Sequence, residues 1–253
     1  MLAALLVASC IPGPPPAHHP SLAALPDAYW RALPQWSDLP DGDRDLLARV
    51  SIVQRDIRAR NPALTFSDEV PRDVVPLATA PDQSFAAGGA PKLDALVLAA
   101  RAYLKGRGTF TVGDGFRSYA IQLATWPRNL RKYLGRIRDQ LHPANGRYSD
   151  ADVCTLRAYA STHYAFPGYS HHQSGRAADF HVRIGDAPEL NSDSAGDNIP
   201  RWCASDIFAW LHRNARRYGF VQAKIDEPWH WVYDPAAAAR PADADYVATS
   251  CRR

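Results

Sequence analysis

In the first half of the chain, apolar positions recur at helical spacing in two places. Leu46, Leu47, Val50, Val53 and Ile57 predict a helix over about Asp43 to Arg58, and Leu93, Leu96, Val97, Ala100, Tyr103 and Leu104 predict an amphipathic helix from Pro91 to Lys105. The second stripe is broad enough to pack on a sheet. Thr109 to Val112 then alternates and is β-branched, which reads as a short strand stopped by Gly113 and Gly115. Ser118 is placed to cap a helix from Tyr119 to Trp126, and Pro127 is expected to interrupt it because proline lacks the N–H an interior turn needs. Ser149-Asp150-Ala151-Asp152 has the form of a capping box that opens a helix through about Ala160.

Further on, Ala177 to Val182 reads as a core strand. Residues 183–200, rich in Asp, Asn, Ser and Gly, form a long polar loop. Ser205 caps a helix from Asp206 to Tyr218 with a stripe of Phe208, Leu211, Ala215 and Tyr218, and Gly219 takes the usual stop position. Phe220-Val221 and Trp229 to Tyr233 pair as a hairpin. Residues 71–91, with several prolines and Gly88-Gly89, read as irregular loop. No repeat of solenoid period is present.

The two ends differ from this body. Residues 1–10 are an apolar run too short to span a bilayer as a helix, and they resemble the end of an export signal without its positive start. Val7-Ala8-Ser9-Cys10 further resembles a lipobox, which makes Cys10 a lipid acceptor and implies membrane anchoring. Residues 11–20, dominated by proline, favour extended conformation and read as a tether. The expected organisation is thus signal 1–10, tether 11–20, extension 21–90, catalytic domain 91–240 and tail 241–253.

Composition adds exclusions. With 253 residues, 46% hydrophobic and 22% charged, the chain can bury a substantial core. A net charge of +3 with no Lys/Arg block gives no electrostatic case for nucleic acid as a partner. Of the four cysteines, lipidation of Cys10 leaves Cys154, Cys203 and Cys251, which permits one disulfide and one free thiol in an oxidising compartment. Cys203 with Cys251 is the favoured pair, since it ties the C-terminal tail to the segment that enters a helix.

The candidate chemistry lies in Ser170-His171-His172-Gln173-Ser174-Gly175-Arg176-Ala177-Ala178-Asp179, together with Glu227-Pro228-Trp229-His230. A catalytic Zn²⁺ takes three ligands from His nitrogen and carboxylate oxygen and keeps a fourth position open. His172, Asp179 and His230 form such a set, if the chain turns at Gly175 and small Ala177 and Ala178 allow close approach. His181, two beyond Asp179 on the same strand face, is a reserve ligand. His171 is expected to face away from His172. Glu227, three before His230, is placed as general base. In an unbroken strand these two would point to opposite faces, so Pro228 must mark an edge or bulge.

These stretches resemble the signature of the VanY-type D-alanyl-D-alanine carboxypeptidases, within a group that includes lysostaphin-like peptidases and the hedgehog signalling domain. The family pattern is Ser-x-His-x-x-Gly-x-Ala-x-Asp followed by Glu-x-x-His. Ser170, His172, Gly175, Ala177 and Asp179 fit the first half, Glu227 and His230 the second, and the pattern selects His172 among the competing imidazoles. In the family a Gly-Tyr-Arg-Ser segment precedes, and here Phe116 replaces the tyrosine before Arg117-Ser118. The resemblance covers about residues 91–235. It implies an α+β fold, with a small antiparallel sheet carrying the zinc site and helices packed around it.

It also implies zinc-dependent hydrolysis of D-alanine-containing bonds in peptidoglycan stem peptides. Arg117 would stabilise the oxyanion, Ser170 and Gln122 would bind the peptide terminus, and Trp229 is a candidate wall of the pocket. Three other readings follow from the same residues. They are a DD- or LD-endopeptidase, a non-catalytic zinc-containing wall-binding module, and a structural zinc domain closed by His181.

Overall fold

The computed structural model describes residues 25–61, 73–223, 225–239 and 251. In chain order its elements are α1 (Asp27–Arg31), α2 (Asp41–Arg60), β1 (Val74–Pro76), β2 (Ser84–Ala86), α3 (Ala90–Leu104), β3 (Gly108–Asp114) and α4 (Tyr119–Ile137). They continue with α5 (Asp150–His163), β4 (Ala177–Ile184), α6 (Asn198–Ala204), α7 (Asp206–Asn214), β5 (Phe220–Gln222) and β6 (His230–Tyr233). The fold is α+β with small antiparallel sheets, as expected. The chain divides into two compact units, residues 1–68 with 119–170 and residues 69–118 with 171–253. Residue 119 leaves one unit and residue 171 returns to it.

The first unit is helical. Leu46, Leu47, Val50 and Val53 of α2 are buried with Trp126, Leu130, Leu134 and Ile137 of α4 and Val153 and Leu156 of α5. Helix α4 runs through Pro127, against the expected break. Burial of Trp126 and Leu130 on either side holds the backbone helical, and the Trp36 indole N–H donates to the Pro127 carbonyl at 3.0 Å. Ser149 and Asp152 form the expected capping box at the start of α5. Residues 1–24 lie outside the described residues, and with them the signal, the tether and the Cys10 proposal. No helix among the described residues is long and apolar enough to cross a membrane.

The second unit carries a four-stranded antiparallel sheet in the order β3-β4-β6-β5. Helix α3 lays Leu93, Leu96, Val97, Ala100 and Leu104 into a core that includes Phe110, Phe180, Phe208, Leu211 and Phe220. The expected loop over 71–91 contains a second, two-stranded sheet instead, with Val75 opposite Phe85. Val74-Val75 and Phe85 fit strands, but each run is three residues long, too short for alternation to show. Helix α7 tightens into a 3₁₀ turn at Ala215–Tyr218 and stops at Gly219, whose φ of +83° is the left-handed conformation glycine adopts without strain.

A disulfide joins Cys203 to Cys251, the pairing expected. Cys154 is also disulfide-bonded, and no described cysteine is free. This corrects the expectation of a leftover thiol. Cysteine spacing does not fix connectivity, so the odd count left after assigning Cys10 to lipid was no guide.

Candidate metal centre

Sheet register assembles the centre. Asp179 of β4 stands directly opposite His230 of β6, and Asp114 of β3 stands opposite Asp179 on its other side. A bulge between Val112 and Asp114 brings Asp114 into that row. A Cβ at Gly113, at the bulge, would lie 2.3 Å from the His181 ring, so a side chain there requires that ring to move. The third ligand arrives from outside the sheet, on a 3₁₀ turn at His171–Ser174 that ends at Gly175 with φ +68°.

His172, Asp179 and His230 are all buried, and one ligand atom from each lies within 4.8 Å of the others. His172 Nε2 is 3.4 Å, and His230 Nδ1 2.8 Å, from Asp179 Oδ1. The other ring nitrogen of His172 is hydrogen-bonded at 2.6 Å to the Gly115 carbonyl, which fixes the tautomer and turns Nε2 toward the cluster. Burial opposes ionisation of Asp179, yet the charge and hydrogen bonds of His172 and His230 hold its carboxyl far below the usual range. Burial keeps the His230 imidazole below its ordinary value in spite of the bond to Asp179. An anionic carboxylate with neutral imidazoles is the donor set a divalent metal requires. The residues fit a metal with three protein ligands.

His181 does not join them. It shares the Asp179 face of β4 as expected, but its Nε2 lies 3.2 Å from the Ser192 hydroxyl, leaving the group with three donors among the described residues. His171 does not point away from the centre. Its ring lies 6.3 Å from that of His230, at a tilt of 59°.

Glu227 sits in the turn before β6, not in the strand. Its carbonyl accepts from the His230 N–H at 3.1 Å and from the Gln222 amide at 3.4 Å. Strand β6 begins only at His230, so alternation never applies to the pair and the expected irregularity at Pro228 is a turn. Burial, and then the charge of Asp179, push the Glu227 carboxyl well above its ordinary value, while Arg117 opposes the shift. Arg117 follows β3 and is ion-paired to Asp114 three residues earlier.

The loop that carries Arg117 is fastened by the small sheet. Gly115 N–H donates to Gln83 Oε1 at 3.0 Å, Phe116 N–H to the Ser84 carbonyl at 2.7 Å, and Arg117 N–H to the His172 carbonyl at 3.2 Å. Asp114 and Gln83 were not singled out from the sequence, and Gly115 was read only as a strand stop. The Asp-x-x-Arg spacing offered a signal for the first; nothing local marks Gln83.

Trp229 is 1% exposed and packs in the core of the second unit, with its carbonyl accepting from Phe180 N–H. A flanking tryptophan looks the same in sequence whether it lines a pocket or fills a core. Gln122 and Ser170 are both buried in the helical unit, and the Gln122 amide donates to the Ala165 carbonyl.

The family model described as VanY, D-alanyl-D-alanine carboxypeptidase, matches residues 90–236, more than half of the chain. Among solved structures, the chain is similar to a mutant vancomycin resistance D,D-pentapeptidase VanY from a VanB-type cassette in complex with Zn(II). That match has 22% identity and a TM-score of 0.47, and covers 69% of this chain and 86% of that one. An LdcB LD-carboxypeptidase matches at 20% identity and TM-score 0.42, over 69% and 75% of the two chains. DacB from Streptococcus pneumoniae matches at 21% and 0.38, over 71% and 77%. No curated protein matches. With the family model spanning both halves of the His-Asp-His centre, the chain belongs to the VanY family of D-alanyl-D-alanine carboxypeptidases.

Proposed function

We propose that the protein is a zinc-dependent D-alanyl-D-alanine carboxypeptidase acting on peptidoglycan stem peptides. The observation that carries this reading is the buried His172, Asp179 and His230 cluster beside a carboxyl of raised basicity and a positioned guanidinium. His172, Asp179 and His230 would hold the metal. Zinc bound there supplies Lewis acidity, which makes water nucleophilic near neutral pH and polarises the scissile carbonyl. Glu227 accepts the proton of the attacking water and returns it to the leaving D-alanine amine. Arg117, fixed by Asp114, faces the negative charge that develops on the carbonyl oxygen.

The presence of both the base Glu227 and the guanidinium of Arg117 favours catalysis over a wall-binding module, and the three-donor group favours an open site over a closed structural one. An envelope location is supported by the apolar start of the chain and by the Cys203–Cys251 disulfide, a bond of oxidising compartments. Lipidation of Cys10 is tested by the mass of the N-terminal peptide, which would carry the added lipid.

The bond cleaved is tested by mass spectrometry of three purified muropeptides. Loss of one alanine from a pentapeptide ending in D-Ala-D-Ala, with the L,D-tetrapeptide and the cross-linked dimer untouched, is the expected result. Cleavage of the dimer alone would make the protein an endopeptidase, and cleavage of the tetrapeptide alone an LD-carboxypeptidase.

A further inference from the structure

His171 belongs neither to the ligand set nor to the Glu227 and Arg117 machinery, yet it is fixed at the edge of the cluster. Its side chain is exposed, while the neighbouring His172 is buried. The rings of His171 and His172 lie 6.3 Å and 4.9 Å from that of His230. One histidine is therefore inside the cluster and the other is at its mouth. The backbone between them is pinned. The Ser174 hydroxyl donates to the His171 carbonyl at 2.7 Å, and the N–H groups of Gly175 and Arg117 both donate to the His172 carbonyl, at 3.1 and 3.2 Å. An imidazole on so constrained a turn is pre-organised for contact with a bound molecule.

The surrounding charges say what it would contact. Asp114, Asp179 and Glu227 are acidic, and Asp226 adds a further negative charge that acts on Glu227. Arg117 is ion-paired to Asp114. A substrate that ends in a carboxylate enters this acidic surrounding and needs a donor that brings no negative charge. A neutral imidazole carries one N–H donor.

We infer that His171 is a specificity-determining residue whose imidazole N–H donates a hydrogen bond to the C-terminal carboxylate of the D-alanyl substrate. This rests on the carboxypeptidase reading above and extends it, because it makes the free acid end the feature that is recognised.

The test compares two peptides, one ending in D-Ala-D-Ala as the free acid and one as the C-terminal amide, with the zinc-loaded wild type, His171→Ala and His171→Gln. A hydrogen bond to a charged group implies about a tenfold loss of kcat/KM for His171→Ala on the free acid. The loss on the amide should be under about twofold, His171→Gln should recover part of the activity, and zinc content should not change. Equal losses on both peptides, no loss, or loss of zinc would overturn the inference. Calorimetry in the Glu227→Ala background gives a readout free of turnover. There His171→Ala should weaken binding of the free-acid peptide about tenfold, and an unchanged Kd would overturn the inference. Wild-type protein that releases no D-alanine from either peptide would overturn the carboxypeptidase reading instead, and the Kd comparison would still decide the role of His171.

Discussion

Replacing Asp114 with Asn keeps the size of the side chain and removes the charge that anchors Arg117. The side chains of Asp114 and Arg117 are 29% and 16% exposed, so the pair lies between a surface ion pair, of at most about 1 kcal/mol, and a buried one, whose rupture costs about 3–5 kcal/mol. About 1–2 kcal/mol is the reasonable value, equivalent to a rate factor of about 5–30. Because Arg117 acts on charge that develops only in the transition state, the loss should fall on kcat and leave KM nearly unchanged. Steady-state release of D-alanine by Asp114→Asn, alongside zinc content and a thermal melt, measures this. An unchanged kcat, or an effect confined to KM, would refute the idea that Asp114 positions a transition-state residue. Arg117→Lys should lose at least as much, since an ammonium lacks the planar fork that matches both Asp114 and the oxyanion.

Three further outcomes follow from the fold. Gly175→Ala places a side chain at φ +68° and 3.3 Å from the Ala86 N–H and Val74, so it should cost about 1–2 kcal/mol and lower Tm by about 2–8 °C, read by calorimetry. Burial works against ionisation of Asp152, but bonds from the His142 N–H and from Ser149 hold its carboxyl below the ordinary 3.8. A depressed folded value means that its stabilisation is present above pH 3.8 and fades as pH falls through the lower folded value, so in urea melts Asp152→Asn should be weaker than wild type by about 1 kcal/mol at pH 7, a gap that narrows as pH falls below 3.8. Alkylation under denaturing conditions without reductant should leave Cys154, Cys203 and Cys251 unlabelled, and labelling of any of the three would contradict the bonding seen here.

The sequence carried those features whose physical cause is local or periodic. The α3 stripe, the Ser149 capping box and the Gly219 stop each lie within a few residues of what they specify, and each appears where its pattern placed it. The ligands were legible for a different reason. Metal coordination restricts residue type so tightly that His172, Asp179 and His230 stand out although 58 positions separate the first from the last.

What failed to show depended on partners distant in the chain. Pro127 looked like a helix end because the packing of Trp126 and Leu130 that overrides it comes from α2 and α5. Trp229 is in the core because β4 lies beside it, a fact no flanking residue records. Gln83 reaches Gly115 across 32 positions, and the turn of His171 toward His230 depends on bonds made by Arg117 and Ser174.

The central claim is that a metal held by His172, Asp179 and His230 works with Glu227 as the base. It is tested most directly by D-alanine release from a pentapeptide ending in D-Ala-D-Ala, measured for zinc-loaded wild type and Glu227→Ala at equal zinc content. The account predicts release by the wild type and a loss of at least about a hundredfold in the variant, with zinc retained. Turnover by Glu227→Ala at the wild-type rate would contradict it.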